Sequence, residues 1–177
     1  MSKFVIYQVL PRLFGNYNST NKYNGSIEEN GCGKFNSFTT KALKEIKALG
    51  VTHIWYTGIF EHATQTDYSA YGIRKDFPCL VKGKAGSPYA VKDYYDVDPD
   101  LAENVTDRMK EFEDLIHRTH KEGMKVLIDF VPNHVARQYF SDAKPKNIFD
   151  LGERDHPEWA FSPLNNFYYL PGQPFRP

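Results

Sequence analysis

The chain has 177 residues, enough for one domain with a sizeable core, and 22 Lys+Arg against 22 Asp+Glu leave it without net charge. That balance argues against a nucleic-acid binder, which carries a basic excess. Cys32 and Cys79 are the only cysteines; their spacing suggests neither a metal site nor a disulfide framework, and two free thiols favour a reducing compartment.

The opening "MSKFVIYQVLPRLF" reads as a strand from Phe4 to Leu10. Its apolar stretch is short, is broken by Gln8 and Pro11, and has no small-residue cleavage site, so it does not read as a signal peptide. A helix is expected from Ser37 to Leu49, with Ser37 as cap, Phe38, Ala42, Ile46 and Leu49 as its apolar stripe, and Gly50 as its left-handed stop. "VTHIWYTGIF", Val51 to Phe60, is the second strand, and Glu61 and His62 are expected at its cleft end. A second helix runs from Thr106 to Glu122, with Met109, Phe112 and Ile116 inward and Gly123 as its stop. "KVLIDFV", Lys125 to Val131, is the third strand.

All three strands are nearly continuous apolar runs, as strands covered on both faces should be. Helix-to-strand turns are short, whereas the strand-to-helix connections, 11–36 and 61–105, are long. That asymmetry describes an α/β protein, either a β/α barrel or a doubly wound sheet, with its function on the long-loop side. After His134 the chain becomes irregular and rich in Pro and aromatics ("FSPLNNFYYLPGQPF"), with no further helix or strand expected. No segment is long enough to span a membrane, and the expected location is cytoplasmic.

"DFVPNH", Asp129 to His134, carries most of the chemistry. Asp129 shares a strand face with Leu127 and Val131 and leaves a strongly apolar run, so its carboxylate needs a cation or several donors. Glu61 with Asp129 is a candidate acid/base pair of the kind glycoside hydrolysis uses. Aromatics, at 15% of the chain, suit a Tyr- and Phe-rich core, or a flat-faced ligand such as a sugar ring or a base. "DYYDVDPDL" has Asp96, Asp98 and Asp100 at alternating positions, but a calcium loop begun at Asp96 would need Gly and Glu where Leu101 and Asp107 stand. Zinc spacings, a phosphate-cradling Gly-rich loop and a Gly-x-Ser-x-Gly elbow are all missing from the sequence.

Four segments in order, "VIYQVLPRLF", "FTTKALKEIKALGVTHIWYTGIFE", "SPYAVKDYYDVDPDLA" and "GMKVLIDFVPNHVA", resemble the α-amylase family, family 13 of the glycoside hydrolases. The resemblance covers nearly all of Phe4 to Arg137. It implies that residues 1–134 are the first βα units of a (β/α)8 TIM barrel, and that 135–177 begin an irregular domain inserted after the third strand. It assigns Tyr89 to stacking on the sugar at the cleavage subsite and His134 to hydrogen-bonding that sugar's hydroxyls. It assigns Asp129 to holding the active-site frame, usually through an arginine from the fourth strand, and Asn133 to a calcium site that many members have. The implied ligand is an α-1,4-glucan or maltooligosaccharide, cleaved with retention. The family's nucleophile, acid/base and third carboxylate follow strands four, five and seven, so no catalytic residue is expected within these 177 residues and Glu61 loses its acid/base role. The chain is therefore expected to be an N-terminal piece of such an enzyme. The alternative is a non-catalytic glycan-binding remnant.

Overall fold

A computed structural model of the chain describes residues 3–174. In chain order the elements are β1 (Ile6–Val9), α1 (Ile27–Asn30), α2 (Thr40–Ala48), β2 (His53–Tyr56), β3 (Phe60–His62), β4 (Val91–Val97), α3 (Arg108–Lys121) and β5 (Lys125–Ile128). β1, β2 and β5 form a parallel sheet in sequence order, with Ile6 opposite His53 and His53 opposite Lys125. This is an open sheet with helices between its strands, the arrangement with which a (β/α)8 barrel begins.

α2 and α3 stand where their apolar residues can cover the sheet. Leu43 and Ile46 of α2 and Phe112 and Leu115 of α3 pack with Ile54 and Tyr56 of β2, Phe35, Phe38 and Met124 in one core. Phe38 stacks on Phe14 at 4.1 Å, and the Tyr56 hydroxyl meets Thr119 Oγ1 at 2.7 Å. Truncating a fully buried Leu43 or Leu115 to Ala would cost about 2–5 kcal/mol. At the short-turn end, Lys47 Nζ donates to Gly123 O at 3.0 Å and to Val51 O at 3.3 Å, joining two helix-to-strand turns.

The structure corrects several boundaries. Thr39, not Ser37, caps α2; its side chain accepts from Ala42 N, while Ser37 closes a preceding 3-10 turn. Leu49 lies outside the core at 70% exposure, and Leu43 takes its expected place. In α3 the buried residues are Glu111, Phe112, Leu115 and Thr119, and Met109 turns outward. Glu111 is buried because it accepts from Glu103 N and Asn104 N, stitching down the loop before the helix.

The largest correction is to the run from Val51 to Phe60. Gly58 adopts φ +73 and turns the chain out of the sheet after Tyr56. Phe60 to His62 then pair antiparallel with β4 in a separate two-stranded ribbon. Beyond β5 the described residues carry no helix or strand. Residues of this irregular segment bond to the ribbon, Ala136 N to Val91 O at 2.7 Å and Ser141 Oγ to Asp93 Oδ1 at 2.6 Å. The last three residues of the expected inserted domain, 175–177, lie outside the described residues.

Candidate active site

Asp129 leaves the end of β5 and is 9% exposed. Strand register explains its surroundings. Trp55 pairs with Leu127, so the side chain two residues beyond Leu127 emerges on the face that carries Trp55. The Trp55 indole N–H donates to Asp129 Oδ1, and the Gly58 amide donates to Oδ2 at 3.0 Å. No lysine or arginine pairs with Asp129 among the described residues.

Tyr89 lies on the connection between β3 and β4 and is 45% exposed. With Gln8, Val9, Leu10, Thr57, Ser87 and Pro88 it lines an open cavity at the C-terminal ends of β1 and β2. Gln8 Nε2 donates to Thr57 Oγ1 at 3.0 Å across that floor. His134 and Asn133 are exposed, and His134 Nδ1 stands 3.0 Å from Asn133 Oδ1. They line a different cavity of about 530 Å³, walled by the aromatic rings of Tyr94, Phe130, Tyr139 and Phe167. The described residues thus link Asp129 to the Tyr89 wall through Gly58, while His134 lines the other cavity, which begins at Phe130 next to Asp129.

Sequence reasoning does not single out Trp55, Gln8 or Thr57. Trp55 carries a signal all the same: its neighbours Ile54 and Tyr56 face the helices, so its indole has to find an acceptor on the other face.

A family model described as "Alpha amylase, catalytic domain" matches residues 8–169. The chain belongs to the α-amylase family. Among its relatives is the mouse amino acid transporter heavy chain SLC3A1, 28% identical over 134 residues, a match covering 76% of this chain and 14% of that one. Trehalose-6-phosphate hydrolase of Bacillus subtilis is 26% identical over 157 residues, covering 89% of this chain and 22% of its own. The crystal structure of an α-amylase from Lactobacillus plantarum superposes with a TM-score of 0.51 at 29% identity, over 76% of this chain and 24% of that one. The chain therefore spans between about one seventh and one quarter of the length of these relatives.

Glu61 and His62, expected at the cleft end of the second strand, are instead enclosed in the β3–β4 ribbon. Each is 1% exposed within the β3–β4 ribbon. Neither Glu61 oxygen receives a hydrogen bond, and Lys92 Nζ stands 3.4 Å from Oε1. Lys92 itself donates to Asp76 Oδ2 at 3.3 Å and to the Arg74 carbonyl. Burial pushes the Glu61 carboxyl up to about 8 against the pull of Lys92. Arg12 Nη2 meets His62 Nε2 at 2.6 Å, and His62 Nδ1 stands 3.5 Å from Asp98 Oδ2. Burial, with the Arg12 charge, holds His62 below its ordinary range, and burial lifts Asp98 to about 6. These are fastenings for the long loops.

Calcium takes six to eight oxygens. Asn133 offers one amide oxygen, already facing His134, and no group of three or more His, Cys, Asp or Glu that could hold a metal exists among the described residues. The residues present do not make a calcium site on their own. No helix among the described residues is long and apolar enough to cross a membrane.

Proposed function

We propose that these residues form the substrate-side floor of a retaining glycosidase acting on α-1,4-linked glucans. They would be the N-terminal part of its barrel, with 135 onward beginning an inserted domain. The observation that supports this reading is the Asp129 carboxylate, held by Trp55 and by Gly58, with Gly58 packed against Pro88 next to the exposed Tyr89, all at the C-terminal end of a parallel sheet. Tyr89 supplies a flat face for a sugar ring, His134 supplies hydrogen bonds to its hydroxyls, and Asp129 holds the frame. Cleavage with retention needs two carboxylates about 5 Å apart, one nucleophile and one acid/base. In this reading both come from barrel strands outside the 177 residues. Asn133 would supply one oxygen to any calcium, and no step of the reaction depends on it.

The relatives' names lend support: one is a trehalose-6-phosphate hydrolase and another an α-amylase. The name of the mouse relative, an amino acid transporter heavy chain, favours a second reading, a module of the same family without glycosidase chemistry. The experiment is to titrate maltoheptaose into residues 1–177, and to assay the same residues joined to the remaining strands of the barrel for release of shorter sugars. Binding by the short form with hydrolysis only by the long one is expected. Binding without hydrolysis by the long form favours the second reading, and hydrolysis by the short form would refute the placement of the carboxylates.

A further inference from the structure

We infer that Trp55 and Gly58 are positioning residues that fix the Asp129 carboxylate and tie it to the wall carrying Tyr89. The inference rests on the reading of Asp129 and Tyr89 as parts of the α-glucan site.

The resemblance assigns Asp129 an arginine partner from a later strand. In the structure both carboxylate oxygens are already engaged from β2 and the turn after it, Oδ1 by the Trp55 indole and Oδ2 by the Gly58 amide at 3.0 Å. Hydrogen bonds to an ionised acceptor are roughly twice as strong as neutral ones. An indole N–H donates and never accepts, so Trp55 selects the ionised carboxylate or the bare oxygen of its acid. Two donors on two oxygens hold the plane of the carboxylate, not just its position.

Gly58 has a second contact. A Cβ at this residue would stand 2.6 Å from Pro88 Cβ, and φ +73 already disfavours any side chain there. Pro88 immediately precedes Tyr89, and Leu10 Cδ1 closes the other side at 3.5 Å from the same point. Thr57, the residue before Gly58, is held by Gln8. Asp129, Gly58, Pro88 and Tyr89 therefore form one unbroken run of contacts. Moving the carboxylate moves the amide, and the amide sits on the residue that supports the stacking ring. The depth at which a sugar ring lies between frame and ring is set by this run.

The test uses the chain with Trp159→Phe, which leaves Trp55 as its sole indole. With a 15N-labelled indole, the N–H proton resonance of Trp55 should lie well downfield of a free indole, and Asp129→Ala should return it to the free position. Trp55→Phe should weaken maltoheptaose binding about tenfold. Trp55→His, which keeps a ring N–H, should recover part of that loss, and Gly58→Ala should weaken binding at least as much as Trp55→Phe. Near-ultraviolet circular dichroism confirms that each variant is folded. An indole resonance indifferent to Asp129→Ala overturns the inference, as does a folded Trp55→Phe chain that binds like its parent. A parent chain with the downfield indole and no affinity for maltoheptaose instead refutes the α-glucan reading and leaves the Trp55–Asp129 contact standing.

Discussion

Replacing Glu61 by glutamine should change how stability depends on pH. Glu61 is 1% exposed, lacks hydrogen bonds to either oxygen, and faces Lys92 at 3.4 Å. Burial raises its pKa from 4.5 to about 8, with Lys92 opposing and the Asp93 and Asp96 charges adding to the rise. The folded chain therefore holds this proton more tightly than the unfolded chain does. Its contribution to stability is complete below about pH 4.5 and is lost as pH rises through about 8. Between pH 6.5 and 8 the neighbouring shifted groups interfere little, since His62 is lowered from 6.5 while Asp98 and Asp100 are raised only to about 6. At about 1.4 kcal/mol per unit, that interval should remove about 2 kcal/mol of stability from the parent chain. An amide in place of the carboxyl keeps the shape and cannot titrate, so the Glu61→Gln chain should lose almost none of it. Urea unfolding at half-unit steps from pH 6.5 to 8, followed by near-ultraviolet circular dichroism, measures both slopes. Equal slopes in the two chains, or a parent whose stability rises with pH, would show that Glu61 does not carry a displaced proton.

Three further outcomes are expected. Tyr89→Ala should weaken maltoheptaose binding by about 1–3 kcal/mol, by analogy with ring stacking on bases, whereas Tyr89→Phe should keep most of it in calorimetry; equal losses would remove the stacking role. Lys92→Met should cost about 3–5 kcal/mol in urea unfolding, because Asp76 is left buried without its cation. Gly86→Ala should cost about 3 kcal/mol, since φ is +72 and a Cβ would stand 1.8 Å from Ala63 O; an unchanged urea midpoint would contradict the packing of that turn.

The parallel sheet was legible because its strands are uninterrupted apolar runs, and the four family segments arrived in the right order. The ribbon was not legible. "VKDYYDV" buries Lys92, Asp93 and Asp96, and a search for apolar periodicity cannot see strands whose inward residues are charged and paired. Its partner strand was concealed differently, since Phe60 continues the apolar run of β2 and only the conformation of Gly58 separates the two. The same limit applied at the site. Asp129 stood out as a carboxylate after an apolar run, but its donors lie more than 70 residues away and depend on which residue faces which across β2 and β5. The irregular segment after His134 was recognised as irregular, and its attachment through Ala136 and Ser141 to the ribbon needed the fold.

Among the described residues the parallel sheet has two unpaired edges. β1 exposes Ile6 at 54%, and β5 exposes Leu127 at 38% and Ile128 at 42%. Because the strands run the same way, the edge of β5 on one molecule can continue in parallel along the edge of β1 on the next. Such a contact is heterologous: it closes into a ring where the rotation from copy to copy returns to its start, and runs on as a filament where it does not. Within one polypeptide of eight strands the same complementarity bends round and closes on its own beginning. Between separate copies of these residues the same pairing has to close from molecule to molecule or continue, so concentrated solutions should contain rings or chains of molecules.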